Sequence, residues 1–328
     1  MPPRHTLGLS LFSEAEQAER ATHEDFTLRF LLDSDLRRVL DAEFGDGVTP
    51  EAIAHLVSGR VPAVAETSSM GASTGSALLT QMVSGELDAD RMDYLQRDAF
   101  FAGVTYGRFD LNWILENLTT HVVDDRAALA LGHRAVFAFE DFLLGRYHMF
   151  VSVYYHHVPV GFETMLLRFF AEEPEAFTLP ADPEAYQQVD DVTLWTALRA
   201  SRSPWARRIT TRSSFRRIFE LNAEPTHPIL PPLLAGLEAA GVRAFLSEDE
   251  GVLSKYYRAP GEARPSLYVV HDAIGQAVPI QRYARVYERY AQPTRLMRVY
   301  VDPDQADLAR AIVGSVVGEI SLAGAVFG

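Results

Sequence analysis

Apolar residues recur at helical spacing from about Glu14 to Ala200 and then give way to shorter runs. Between His23 and Phe44 the residues Phe26, Leu28, Phe30, Leu31, Leu36 and Leu40 supply an apolar stripe, the pattern of an amphipathic helix or helix pair. Gly45-Asp46-Gly47 ends it. Thr49-Pro50-Glu51 opens the next helix with a capping threonine and a proline at the first position, where the missing N–H has no intrahelical partner to lose. Thr67 to Ser76 is a run of small residues with no strand before it and no Gly-Lys-Ser/Thr after it, which reads as a connection and not as a phosphate cradle. Further helices are predicted from about Glu86 to Gly103 and from about Phe137 to Ala171, followed by a proline- and acid-rich connection from Glu172 to Gln188. After about Arg202 short β-rich runs appear, such as Ser266–His271 and Arg295–Val301, among prolines, glycines and helical pieces. The pattern predicts a mainly α protein: a helical domain over residues 1–202, then a smaller α+β lobe over 203–328. There is no internal repeat.

Composition narrows the functional classes. The 328 residues carry 48% hydrophobic and 23% charged side chains, enough to bury large cores. The chain has no cysteine, which removes disulfides and thiolate-bound metals and fits a reducing compartment. Its net charge of −14 argues against a nucleic-acid backbone as partner unless arginines cluster on one face. Lys255 is the only lysine, so nearly all positive charge is arginine. Residues 1–20 lack the apolar core of a signal peptide, and the apolar tail Ala311–Gly328 is glycine-rich and broken by Glu319. A cytoplasmic protein with no membrane partner is expected. Gly71-Ala-Ser-Thr-Gly75 falls inside the small-residue run, with no strand before it to make a nucleophile elbow, and no His-Glu-x-x-His or Walker loop is present, so side chains arrayed on helices carry the chemical signal.

Two helices hold that signal. On the first, Asp90, Tyr94 and Asp98 fall at i, i+4 and i+8 with Arg91 at the edge, while Leu87, Leu95 and Phe101 can face the core. An acid–aromatic–acid stripe on a core helix is costly unless it lines a cavity or is paired. The plainer reading is that Glu86, Asp88 and Asp90 serve the positive N-terminus of the helix. On the second, Arg146, Phe150, Tyr154 and His157 share a face, and the plainer reading is an aromatic core helix with Arg146 paired to Glu140 or Asp141.

The words Glu86-Leu-Asp-Ala-Asp-Arg-Met-Asp-Tyr-Leu-Gln-Arg-Asp98 and then Gly103-Val-Thr-Tyr-Gly107 resemble the hallmark of HD-domain phosphohydrolases, in particular their deoxynucleoside triphosphate triphosphohydrolase branch. The resemblance covers about residues 5–170. It implies a helical HD-like core and a lineage reaction in which a divalent metal (Mn, Fe or Mg) promotes hydrolysis of a dNTP to the deoxynucleoside and triphosphate. It also implies that Asp90 closes the metal site, and that Arg91, Tyr94, Asp98, Arg146, Tyr154 and His157 line a nucleotide pocket. Phe150 and Thr105 stand where the branch often has histidine and proline.

The amino-terminal word is degenerate. His5-Thr6-Leu7-Gly8-Leu9-Ser10-Leu11-Phe12-Ser13-Glu14 keeps the frame of the branch's His-Asp-x-Gly-His-x-x-Phe-Ser-His. Thr6 replaces the aspartate ligand, Leu9 and Glu14 replace histidines, and the first histidine ligand is expected to be lost as well. His5 and Asp90 are the metal ligands that remain, and two protein groups are few for a tight site. His23-Glu24 matches a further family word and places both near the phosphates as catalytic candidates. Taken by itself, a histidine just inside a helix is more often a cap or a surface group. The expectation is a dNTP-binding protein with weak or lost catalysis; the alternative is a non-catalytic regulatory or interaction subunit. The branch's covering helices are expected to be lost, which predicts exposed apolar groups on Leu7–Phe12 and Phe137–Phe150, and hence a homo-oligomer or a complex with an intact homologue.

Overall fold

The computed structural model describes residues 1–8, 14–45, 48–58, 76–123, 126–221, 227–251, 267–271, 275–283 and 294–322. Leu9, most of the Thr67–Ser76 run and Lys255 lie outside the described residues. The chain packs as two compact units. The first comprises Met1–Tyr147, Phe177–Leu194 and Ser254–Ala291; the second comprises His148–Ala176, Trp195–Leu253 and Gln292–Gly328. The strands are β1 (Leu118–Val123), β2 (Arg126–Gly132), β3 (Arg216–Leu221), β4 (Ala244–Gly251), β5 (Tyr268–His271), β6 (Gln276–Pro279) and β7 (Thr294–Val301). The architecture is mainly α with smaller sheets, as the periodicity predicts.

In the first unit a helix runs over His23–Leu32 and a second over Asp35–Phe44. Thr22 and Asp25 form a reciprocal capping box that fixes where the first begins. Asp25 is buried there, and Arg4 meets it at 2.7 Å. Phe26 packs with Leu7 and Ala21, and its ring stacks on Tyr186 at 4.3 Å. Leu7 is fully buried, and residues 9–12 of the same segment lie outside the described residues.

The next predicted helix is shorter than its periodicity suggests, running from Ala89 to Phe101. Asp88 caps it by accepting the Arg91 backbone N–H at 2.8 Å, which leaves Glu86 and Leu87 in the bend before it. Leu95 and Ala99 face the core, whereas Phe101 is 80% exposed and does not. Gly107 and Gly145 permit a close approach: an added Cβ on Gly107 would lie 2.2 Å from the Leu95 carbonyl, and one on Gly145 2.8 Å from the Tyr106 carbonyl. This accounts physically for the second glycine of the Gly103–Gly107 word.

A four-stranded sheet in this unit has the order β1-β2-β5-β6, with β2 and β5 parallel and the outer pairs antiparallel. β5 and β6, which follow residue 203, thus belong with strands that precede it. The sequence-based boundary at 202/203 differs from the observed units for that reason.

The second unit is built on the antiparallel sheet β3-β7-β4, with a bulge between Arg217 and Phe219. Met297, Val299 and Val301 of β7 alternate onto one face, where they pack with Leu230, Leu233 and Leu237 of helix Leu230–Ala239 and with Ala306 and Ala309 of helix Ala306–Leu322. On the other face Tyr300 stacks on Phe245 and approaches Gly161, whose added Cβ would lie 3.4 Å from the ring.

The long helix predicted over Phe137–Ala171 is not continuous. An α-helix covers Val136–Met149, a π-helical turn covers Phe150–Tyr154, and a new helix starts at His157 with His156 as its cap residue. No helix of the described residues is long and apolar enough to cross a membrane.

Candidate functional site

Four charged side chains are buried at the head of the Ala89–Phe101 helix: Glu86, Asp88, Arg91 and Arg146. The bend Gly85–Leu87 turns Glu86 inward, where it is fully buried. Arg146, arriving from helix Val136–Met149, donates from Nη1 to Glu86 Oε1 at 2.6 Å. Arg91 Nη1 lies 3.8 Å from the same oxygen and donates to the Gly85 carbonyl at 2.8 Å, while its Nε stands 3.5 Å from Asp88. Two carboxylates and two guanidinium groups thus balance in formal charge, the condition under which ions can be buried at all. The plainer reading of the sequence paired Arg146 with Glu140 or Asp141, whereas the structure pairs it with Glu86. Glu140 is half-buried and Asp141 exposed on the helix of Arg146, whereas Glu86 faces it from another element.

Tyr94 stands half-buried beside this network. Burial pushes its phenol above the usual range; the charges of Arg146 and Arg91 pull it down, and those of Asp88 and Asp90 push it up again. The net result is a hydroxyl that keeps its proton and can donate it in a hydrogen bond. Asp98, one turn further on, is half-buried, and Asp90 is exposed. The acid–aromatic–acid stripe is real, but its acids are the wetter part of it.

His23 is exposed on the first turn of its helix and places Nε2 3.2 Å from Glu24, itself exposed. His5 is exposed, with Nδ1 3.2 Å from the Gln17 carbonyl, and the Thr6 hydroxyl donates to the Pro3 carbonyl at 2.6 Å. Among the described residues, no three or more His, Asp or Glu side chains are grouped so as to hold a metal ion. His5 and Asp90, the two metal ligands that the resemblance leaves, are both exposed. Leu9 lies outside the described residues.

Tyr154 and His157 belong to the second unit, whereas Arg91, Tyr94, Asp98 and Arg146 belong to the first. The π-helical turn carries Phe150 and Tyr154, whose rings meet edge to face at 5.2 Å; such turns recur at functional sites. Burial lowers the pKa of the His157 imidazole, and the positive charges of Arg217, His156 and Arg298 lower it further, against the opposing charge of Glu220. Its backbone carbonyl accepts the Tyr300 hydroxyl at 2.9 Å. The role of Glu86 was missed in the sequence. The signal available was a glycine–glutamate pair just ahead of the Asp88 cap.

Comparison with known proteins places the fold in context. Residues 109–228 match the family model described as the HD associated region. An uncharacterized protein of Methanocaldococcus jannaschii is 27% identical over 197 residues, 58% of this chain and 43% of the relative. The uncharacterized protein YwfO of Bacillus subtilis is 32% identical over 166 residues, 50% of this chain and 34% of the relative. The chain thus spans less than half the length of either. The fold is similar to that of a hypothetical protein of Aquifex aeolicus, with TM-score 0.69 and 22% identity over 90% of this chain and 72% of that one. It is also similar to that of a phosphohydrolase of Bacteroides thetaiotaomicron, with TM-score 0.50 and 20% identity over 91% of this chain and 84% of that one.

Proposed function

We propose that this chain is a nucleotide-binding protein of the HD-domain phosphohydrolase superfamily, from the dNTP triphosphohydrolase-like branch, in which hydrolysis is weak or lost. The HD associated region and the phosphohydrolase fold support the superfamily. The branch rests on the Glu86–Asp98 and Gly103–Gly107 words. The observation that carries the binding role is the placement of Tyr94 within electrostatic reach of both Arg91 and Arg146, side chains from two separate helices. A protonated phenol beside two guanidinium groups is suited to sugar and phosphate oxygens. The expectation of weak hydrolysis rests on Thr6, which stands where the branch has its aspartate ligand.

Calorimetry with dGTP at millimolar concentration tests the binding role. Weak binding is expected, reduced several-fold by Tyr94→Phe, which leaves the buried ion pairs in place. No heat from folded protein refutes it. Release of triphosphate from dGTP at about 1 s⁻¹ or faster, lost in Asp90→Ala, refutes the weakness of hydrolysis.

A second reading, an interaction subunit, is favoured by the exposed rings of Phe100, Phe101 and Phe137 in the first unit. It predicts a homo-oligomer or a complex with an intact homologue. Light scattering that gives a clean 36.5 kDa monomer at tens of micromolar, with no homologue captured, overturns it.

A further inference from the structure

The second unit holds an arginine-lined cavity of about 620 Å³ that is no part of the Glu86 network. Its walls come from helix Pro204–Thr210, from the turn just after it, from the residue before β4 and from the segment that follows β7. Arg207, Arg208 and Arg243 supply the positive charge, and Asp302 and Asp304 oppose it.

Asp302 is 2% exposed and acts as the anchor. Arg208 Nη2 donates to one of its oxygens, and Arg243 Nη2 stands 2.6 Å from the other. One buried carboxylate thus fixes two guanidinium groups in place before any ligand arrives. Arg208 is further held by the Phe215 ring, its guanidinium carbon 4.2 Å from the ring centroid. The helix then ends with Arg212 in the left-handed region at φ 55°, and the Ser213 N–H returns to the Arg208 carbonyl at 2.9 Å. That reversal brings Ser213 to the wall of the cavity.

Arg207 is what the structural account leaves over. Its guanidinium makes no ion pair or side-chain hydrogen bond among the described residues, whereas Arg208 and Arg243 share Asp302. The lining therefore brings together the Arg207 guanidinium, the two guanidinium groups that share Asp302, and Ser213, residue types that suit an oxyanion. Its volume lies in the range of small-molecule sites and exceeds the needs of a bare oxyanion. Asp304, exposed and unpaired among the described residues, would repel a bare anion but would accept a hydrogen bond from a hydroxyl.

We infer that this cavity is a binding site for a small phosphate monoester whose organic part bears hydroxyl groups, of the class of sugar phosphates. Arg207, Arg208 and Ser213 hold the phosphate, and Asp304 holds a hydroxyl. This site is independent of the nucleotide role proposed for Tyr94, Arg91 and Arg146.

The test is calorimetric titration of the whole chain with ribose 5-phosphate, inorganic phosphate and ribose in a phosphate-free buffer. Ribose 5-phosphate is expected to bind about tenfold more tightly than inorganic phosphate, and ribose not measurably. Arg207→Gln should weaken the ester about tenfold, and Asp304→Asn should narrow the gap between ester and inorganic phosphate. Both positions are exposed, so both variants are expected to fold, and unchanged thermal unfolding of each checks that. Equal affinity for ester and inorganic phosphate, or an Arg207→Gln variant that binds the ester as the parent does, overturns the inference. So does the absence of heat with the ester at millimolar concentration.

Discussion

Removal of the Glu86 carboxylate should be among the most damaging single changes in the first unit. Glu86→Ala leaves Arg146 without the acceptor it holds at 2.6 Å and leaves Arg91 without its neighbour at 3.8 Å. Arg91 keeps Asp88 and the Gly85 carbonyl, and Arg146, which is 4% exposed, loses the carboxylate nearest to it. Breaking one side of a buried ion pair typically costs about 3–5 kcal/mol, because the remaining charge stays desolvated. Against a total stability of about 5–15 kcal/mol, that is a large share. Glu86→Gln keeps the shape and one oxygen acceptor while losing the charge, and should cost about 2 kcal/mol. The double change Glu86→Leu with Arg146→Met should recover most of the stability, since it removes both charges and fills the space. Urea denaturation followed by circular dichroism reads all three. A Glu86→Ala variant within about 0.5 kcal/mol of the parent, the range of an ordinary surface change, refutes the buried network.

Several other outcomes are expected. His157 is held below its ordinary value of 6.5 by burial and by nearby arginines. The folded state then binds fewer protons than the unfolded state, so His157 contributes a loss of stability as pH falls below about 6.5, and none above. His157→Gln should flatten that limb in unfolding curves measured between pH 7 and pH 5; an unchanged slope counts against the assignment. Burial pushes Glu220 up, but hydrogen bonds from Arg298 and Arg217 outweigh it and hold the carboxyl below 4.5. Its contribution is present above that value and is lost as pH falls through the lowered one, so Glu220→Gln should reduce acid sensitivity below about pH 4.5. Arg212 occupies a left-handed position that costs a side-chain-bearing residue about 1 kcal/mol, and Arg212→Gly should raise the stability of the second unit by up to that amount in thermal unfolding. Gly145→Ala should destabilise the first unit by about 1–3 kcal/mol, because its Cβ would meet the Tyr106 carbonyl at 2.8 Å; a neutral result would show that the helix can shift.

The sequence by itself determined the helices whose apolar spacing is long and regular, and the cap at Thr22 and the break at Gly45 mark where two of them begin and end. It also determined the Asp90–Tyr94–Asp98 stripe and the mainly α class, because a period of 3.6 is a local property that needs no partner. Which residues pair is not local. Glu86 reads as a helix-end acid until the bend turns it onto Arg146, and Phe101 reads as a core residue although its side faces out. The π-helical turn at Phe150–Tyr154 interrupts the helix predicted to run through Arg146 and His157, and no pattern of hydrophobic positions announces it. β5 joins β2 by backbone hydrogen bonds between segments far apart in the chain, so the single boundary at residue 202 could not be corrected from the sequence. The arginine cavity was invisible for the same reason. Arg207, Arg243 and Asp302 come from three distant stretches, and only tertiary packing, through one buried carboxylate, places their charges together.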